Sequence, residues 1–218
     1  MPDDAPVAVP ASQVAAKAVR GAVRAKHAAS LLVVRMDGDE PCILMGMRGA
    51  KHRFMPNRLV FPGGRVDAAD YRAASASPLA PKTEWALRKR ANPALARALG
   101  HAAARELQEE TGLTLGSPPH LRPLEYLARA VTPPSLPIRY NARFLVVSAD
   151  HVHGALGGDG ELEGLRFYGM DEALALNLAL PTRLVLAQLK VFIALSPAER
   201  AARTHTPVLL RDRGWVPE

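Results

Sequence analysis

The chain has 218 residues, 48% hydrophobic and 22% charged, with a net charge of +7; this is enough for one well-buried domain and excludes a disordered chain. No apolar run approaches the ~20 residues that span a bilayer, and no secretory signal pattern is present. The positive balance suits an anionic partner, whether nucleic acid, an anionic membrane surface or a phosphate-rich small molecule, while a single cysteine, Cys42, permits neither an internal disulfide nor a thiolate metal cluster.

Residues 1–27 are rich in Ala and Pro, with Lys17, Arg20, Arg24 and Lys26 spaced as on a helical face. They read as a basic leader or leading helix before a domain over 28–197. "SLLVVRM" and "CILMGMR" are strand-length apolar runs separated by the turn signal "DGDEP", with Cys42 as a small buried hydrophobe. "RLVF" runs into "PGG", which stops a strand, and "RVDAADYRAASASPLAPKTE" reads as a surface excursion. "NPALARALGHAAARELQEETG" predicts a long helix with Asn92 as N-cap, Pro93 at its first position and Gly112 as its stop. "LEYLARAV" and "IRYNARFLVVSA" are further strands, and "HVHGALGGDGELEG" is a flexible loop leading to "LRFYGM". Two helices follow: "DEALALN", capped by Asp171, and "PTRLVLAQLKVFIAL", capped by Thr182, with Val185, Leu189 and Phe192 on one stripe. The tail, 198–218, carries no clear pattern. Strands outnumber helices, so the expected class is α/β of the α+β kind, a mixed sheet flanked by helices.

The long helix carries the chemistry. Glu106, Glu109 and Glu110 fall within an arc of roughly 100° on one face, beside a packing stripe of Ala103, Ala104 and Leu107. They lie in the last turn, where the helix dipole disfavours negative charge, and no Lys or Arg is assigned to them at i,i+4. A divalent cation relieves both problems, and oxygen ligands at these spacings suit Mg²⁺. The histidines form no metal spacing, and His151-x-His153 reads as a solvated loop pair.

Upstream, "VFPGGRVDAAD" contains Gly63-Gly64, where missing side chains let the backbone approach a ligand. Together the two segments resemble the Nudix box. Gly64 matches its first glycine, and Arg105, Glu106, Leu107, Glu109, Glu110, Gly112 and Leu113 match its second half. Asp70 stands where the box has Glu, and 34 residues separate it from Arg105 instead of seven, an insertion of 27. A split box of this kind resembles the subfamily of peroxisomal coenzyme A diphosphatases and their bacterial relatives. Arg48, Gly49, Arg53, Asn57 and Phe61-Pro62-Gly63-Gly64 keep the spacing of that subfamily's upstream signature, with Asn57 in place of a glycine. The resemblance covers about residues 28 to 195.

The resemblance implies a Nudix fold, a mixed sheet sandwiched between helices, with the insertion at about 71–104. It implies metal-dependent hydrolysis of a nucleoside diphosphate linked to another moiety, most specifically coenzyme A or acyl-coenzyme A, giving 3′,5′-ADP and a phosphopantetheine. ADP-ribose or NADH is the alternative substrate, and a catalytically silent nucleotide- or RNA-binding module the other alternative. Mg²⁺ or Mn²⁺ would sit on Glu106, Glu109 and Glu110, with the Gly63 carbonyl completing the shell. Arg105 would tie the helix to neighbouring acids, and a later glutamate, Glu161 or Glu163, would serve as base or further ligand; Glu163 is taken into the catalytic set. Arg48, Arg53, Gly64 and Arg65 are the substrate-binding residues, within a loop that also carries Lys51 and Arg58 and no acid. The expected partner is a small-molecule diphosphate, with no membrane and no nucleic acid. A homodimer and a bacterial cytoplasmic setting complete the expectations; "GWVPE" is no peroxisomal address.

Overall fold

Residues in the first strand bury side chains on both of its faces. In β1 (Lys26–Asp37), Leu31 and Val33 join one apolar cluster while Leu32 and Val34 join another. A strand buried on both sides lies inside a sheet covered by helices on each face. The computed structural model, which describes residues 23–49, 57–210 and 214–218, shows this arrangement.

A turn with Gly38 at positive φ returns the chain into β2 (Glu40–Arg48), antiparallel to β1. The other strands are β3 (Leu59–Val60), β4 (Gly63–Arg65), β5 (Glu125–Val131), β6 (Tyr140–Ser148), β7 (Leu162–Gly169), β8 (Pro207–Leu210) and β9 (Gly214–Pro217). Their order is β3-β2-β1-β6-β5-β8-β9, with β4 paired to β1 and β7 to β2. β1 and β6 run parallel, and most other pairs are antiparallel, so the sheet is mixed.

Helices α1 (Pro81–Arg88) and α2 (Pro93–Thr111) supply Leu87, Leu95, Leu99 and Leu107 to the cluster on one face. On the other face α3 (Met170–Ala175) and α4 (Leu180–Ala194) contribute Met170, Val185, Leu186, Leu189 and Phe192. The expected sandwich and the expected stripe on α4 are both present. In α2 the Asn92 side chain accepts from the Leu95 N–H at 2.8 Å, and Gly112 ends the helix at φ 73. Left-handed backbone favours glycine at that position.

Several local expectations are corrected. β3 ends at Val60, before the Pro-Gly-Gly run as expected, but Gly63 and Gly64 then form a strand of their own, paired to Ser30 and Ala29 of β1. The stretch read as an excursion ends inside α1, which Pro81 starts and buried Leu87, beyond that stretch, anchors. Asp171 is not the cap of α3, whose N-cap is Gly169; it sits in the first turn, where its charge suits the dipole. Thr182 is likewise buried inside α4, whose N-cap is Ala179. The tail adds α5 (Pro197–Ala202), closed by a capping box between Ser196 and Glu199, and then β8, which runs parallel to β5. β1 begins inside the segment read as a leader, and residues 1–22 lie outside the described residues. Among the described residues, no helix is long and apolar enough to cross a membrane.

Candidate active site

The pairing of β4 with β1 fixes two glycines against the end of α2. The Gly63 N–H donates to Glu110 Oε2 at 2.7 Å. Glu110 is 1% exposed, and its Oε1 has no hydrogen-bond partner. The Arg48 guanidinium lies 3.6 Å from Oε1. Burial pushes the Glu110 carboxyl up to about 8, against the opposing pull of the Gly63 N–H and Arg48. Glu106 packs on Gly64 so closely that a Cβ there would stand 2.2 Å from Glu106 Oε1, so any larger residue would displace the carboxylate. Burial raises the Glu106 carboxyl as well. Glu109 is different, with half of its side chain exposed.

Arg105 organises the acids. Its Nε and Nη2 donate to the two carboxylate oxygens of Asp70, at 3.0 and 3.1 Å. Its Nη1 donates to Glu106 Oε1 and to Glu109 Oε2, both at 2.8 Å, and Nη2 also reaches the Arg65 carbonyl at 2.9 Å. One planar guanidinium thus joins three carboxylates and a backbone oxygen, which a lysine could not do. The reading that the acids lack an i,i+4 cation is corrected, since Arg105 is that cation for Glu109. Asp70, buried, also accepts from the Asp67 N–H at 2.8 Å, which ties the turn after β4 to the helix.

The glycine-rich loop after β6 closes over the helix end. Gly157 N–H donates to the Thr111 carbonyl at 2.8 Å and Asp159 N–H to the Glu109 carbonyl at 2.9 Å. Gly158 has φ 108, and a Cβ there would lie 2.3 Å from the Glu110 carbonyl oxygen. The loop supplies donors to terminal carbonyls that a helix leaves unpaired, so this part of the stretch read as flexible is attached to the helix. It delivers Glu161, whose Oε1 lies 3.8 Å from Arg48. Glu163 lies exposed on β7, opposite Met47.

Among the substrate-binding expectations, Arg48 and Gly64 stand at the carboxylates, and Arg65 is exposed beside them. Arg53 and Lys51 lie outside the described residues. Arg58 turns to the Asn177 carbonyl at 3.3 Å. Asn57, which replaces a glycine in the upstream signature, has φ 53, a left-handed conformation that glycine and asparagine adopt most readily.

No family model matches the chain, and no curated protein matches it. Solved structures do. A NUDIX hydrolase from Alicyclobacillus acidocaldarius is 24% identical, with TM-score 0.59 over 75% of this chain and 90% of that one. The NUDIX domain of Shewanella oneidensis NrtR, complexed with ADP ribose, is 13% identical, with TM-score 0.53 over 78% and 90%. A MutT protein from Methanosarcina mazei Go1 is 15% identical, with TM-score 0.51 over 78% and 96%. The chain has the Nudix fold.

Within the Nudix fold of this chain, the donor set at the end of α2 suits a hard divalent cation. It is all oxygen, it includes an orphaned buried carboxylate oxygen on Glu110, and burial disfavours the charge on Glu106 and Glu110 until a cation compensates it. Among the described residues no three His, Cys, Asp or Glu are gathered tightly enough to hold a metal as they stand, because Glu106 and Glu109 turn to Arg105. The sequence reading missed how Asp70 serves the site: it holds Arg105 across 35 positions. The pairing of an Arg with an isolated Asp gave no sequence signal.

Proposed function

We propose that the chain is a metal-dependent hydrolase of a nucleoside diphosphate linked to another moiety. The observation that carries this reading is the buried Glu110 carboxylate, with one oxygen on the Gly63 N–H and the other without a hydrogen bond, beside the desolvated Glu106. Glu106, Glu109 and Glu110, with the Gly63 carbonyl, would hold Mg²⁺ or Mn²⁺, which when bound neutralises diphosphate charge and activates water.

The chain's own residues supply the rest. Asp70 keeps Arg105 in place, and Arg105 aligns Glu106 and Glu109. A carboxylate beside the water, Glu106 or the loop residue Glu161 or Glu163, takes its proton as the water oxygen attacks one phosphorus. The bridging P–O bond breaks, and the leaving phosphate departs with the electron pair. Glu161 stands closer to this cluster than its exposed neighbour Glu163 and is the better second acid. Arg48, Arg65 and the Gly64 backbone would meet the phosphates, and the spacing of the upstream signature adds Arg53, which lies outside the described residues.

Coenzyme A or acyl-coenzyme A is the favoured substrate, cleaved to 3′,5′-ADP and a phosphopantetheine. Support comes from the spacing of Arg48, Arg53 and the Phe-Pro-Gly-Gly run, and from the left-handed Asn57 at the signature's glycine position. ADP-ribose is the second reading, favoured by the NrtR domain that shares this fold and binds ADP ribose. The test is a product assay with Mg²⁺ or Mn²⁺ over coenzyme A, acyl-coenzyme A, ADP-ribose and NADH. Release of 3′,5′-ADP from coenzyme A, lost in Glu109→Gln, is the expected result. Wild-type turnover in that variant removes the metal-ligand assignment, and no turnover of any substrate makes the chain a silent nucleotide-binding module.

A further inference from the structure

The strand β8 covers only part of the outer edge of β5. It pairs with Arg129 and Ala130, so among the described residues 125–127 have no strand on that side. Arg203 takes a strand's place there. Its Nη1 donates to the Tyr126 carbonyl at 3.3 Å and its Nη2 to the Leu127 carbonyl at 3.1 Å. A cleft of about 300 Å³ remains between α4 and the β8–β9 hairpin. Its apolar wall is made by Leu127, Val191, Phe192, Leu195, Trp215 and Pro217. Val191 stands at the lip, 61% exposed.

One end of this cleft is cationic. Phe192, Arg203 and His205 also line a recess of about 40 Å³, whose other walls carry Lys82 and Arg200. The guanidinium groups of Arg200 and Arg203 lie 5.4 and 4.8 Å from the centre of the Phe192 ring. That ring therefore joins the charged end to the apolar one. Glu125 is the carboxylate of the recess, and it accepts from Arg200 at 3.2 Å. Lys82 donates to the Arg200 and Ala201 carbonyls, which are neutral. Among the described residues Arg203 forms no ion pair, and its two acceptors are neutral backbone oxygens. Each of its Nη groups has a second N–H beyond the one bonded to β5. Three cations thus meet one carboxylate that is already paired.

An apolar trough that ends in unbalanced positive charge complements an amphiphile with one compact anionic head. We propose that this cleft binds an aliphatic carboxylate, with its chain along Val191, Phe192 and Trp215 and its head at Arg203. A carboxylate is an acceptor only, and a guanidinium with N–H groups to spare is its natural donor. The cleft is at the small end of the range for small-molecule sites, and the recess suits a carboxylate better than a bulky phosphodiester. It lies on the α4 side of the sheet, opposite the face that α2 covers. The proposal therefore stands apart from the hydrolase reading and does not depend on it.

Octanoate and decanoate, below their micellar range, are the probes. Titration calorimetry on the full chain should show affinity rising ~4-fold per added methylene, the size of moving one CH₂ out of water. Decyltrimethylammonium has the same chain and a positive head, and should bind ~10-fold or more weakly than decanoate, the size of a charged hydrogen bond. In Trp85→Phe, which leaves Trp215 as the one tryptophan, decanoate should shift the emission. Arg203→Gln should erase the preference for the carboxylate, and Arg203→Lys should keep part of it. Should Arg203→Gln not fold, Val191→Glu decides. It places a like charge at an exposed position and should weaken decanoate binding ~10-fold or more. Equal binding of the two head groups overturns the proposal, as does decanoate binding that survives Val191→Glu. Absence of decanoate binding overturns it too, and a dimer that Val191→Glu dissociates in sedimentation would then assign the cleft to a second copy.

Discussion

The two halves of α2 are built to opposite rules. From Leu95 to Ala104 the helix is buried except at the exposed Arg97, and its buried residues are Ala, Leu, Gly and one His. These small side chains let it lie close against β1 and the rest of the sheet, where dense apolar contact stabilises it. From Arg105 onwards the same helix gathers three glutamates, one of them buried with an oxygen that has no hydrogen bond. Its last turn is held by Arg105, Arg48, the Gly63 N–H and the loop at Gly157 and Asp159. The first half is optimised for stability. The second keeps charge where an apo protein is better without it, as expected where a site waits for a cation.

The largest separation of the two halves comes from one substitution in each. Glu110→Gln keeps an acceptor for the Gly63 N–H and removes the buried charge. Turnover should fall ~10³-fold, the scale of several kcal/mol of charge stabilisation, while the metal-free melting temperature at pH 8 does not fall. Leu99, 0% exposed, sits in the packing half. Leu99→Ala should cost about 2–5 kcal/mol of stability, read by denaturant unfolding, with turnover per folded molecule retained. Unfolding of Glu110→Gln below wild type, or a Leu99→Ala enzyme of normal stability and low turnover, would erase the distinction between the halves.

Acidity tests the same difference without mutation. The folded protein holds the Glu110 carboxyl at about 8, against an ordinary 4.5. Between those values the folded state keeps a proton that the unfolded state has released, so stability falls as pH rises through the window. Glu106 shifts in the same direction. The metal-free melting temperature should decline from pH 5 to pH 8.5, by an amount on the order of a few kcal/mol in stability. Excess Mg²⁺ should flatten the decline by stabilising the charged form. A metal-free profile that rises over this range would contradict the burial of Glu110.

Much of this contrast was legible in the residues. Asn92, Pro93 and Gly112 bound α2, and the spacing of Glu106, Glu109 and Glu110 placed them on one face, because capping and helical period are local properties. What escaped is non-local. Arg105 pairs with Asp70 across the insertion, and β8 finds β5 from 76 or more positions away, through a four-residue run too short to announce itself. The closing of the 157–161 loop onto the helix end depends on backbone donors, which carry no residue signature beyond glycine. Two signals were present and unread: the Ser196-to-Glu199 capping box of α5, and an asparagine at the signature's glycine position, which marks a left-handed turn at Asn57.

The smallest expected effect lies at the far end of the same helix. Asn92 Oδ1 accepts the Leu95 N–H, one of four N–H groups that the first turn leaves without a partner. Asn92→Ala removes that acceptor and exposes no buried charge, so it should cost about 1 kcal/mol of stability. Asn92 is 19 positions before Thr111 and touches none of the carboxylates, and Pro93 still presets the first turn. Turnover per folded molecule and the Mg²⁺ requirement should therefore be unchanged, measured alongside urea unfolding. A loss of turnover without a loss of stability would mean that the start of α2 sets the position of its acidic end, and that the two halves act as one lever rather than as a packed stem and a charged tip.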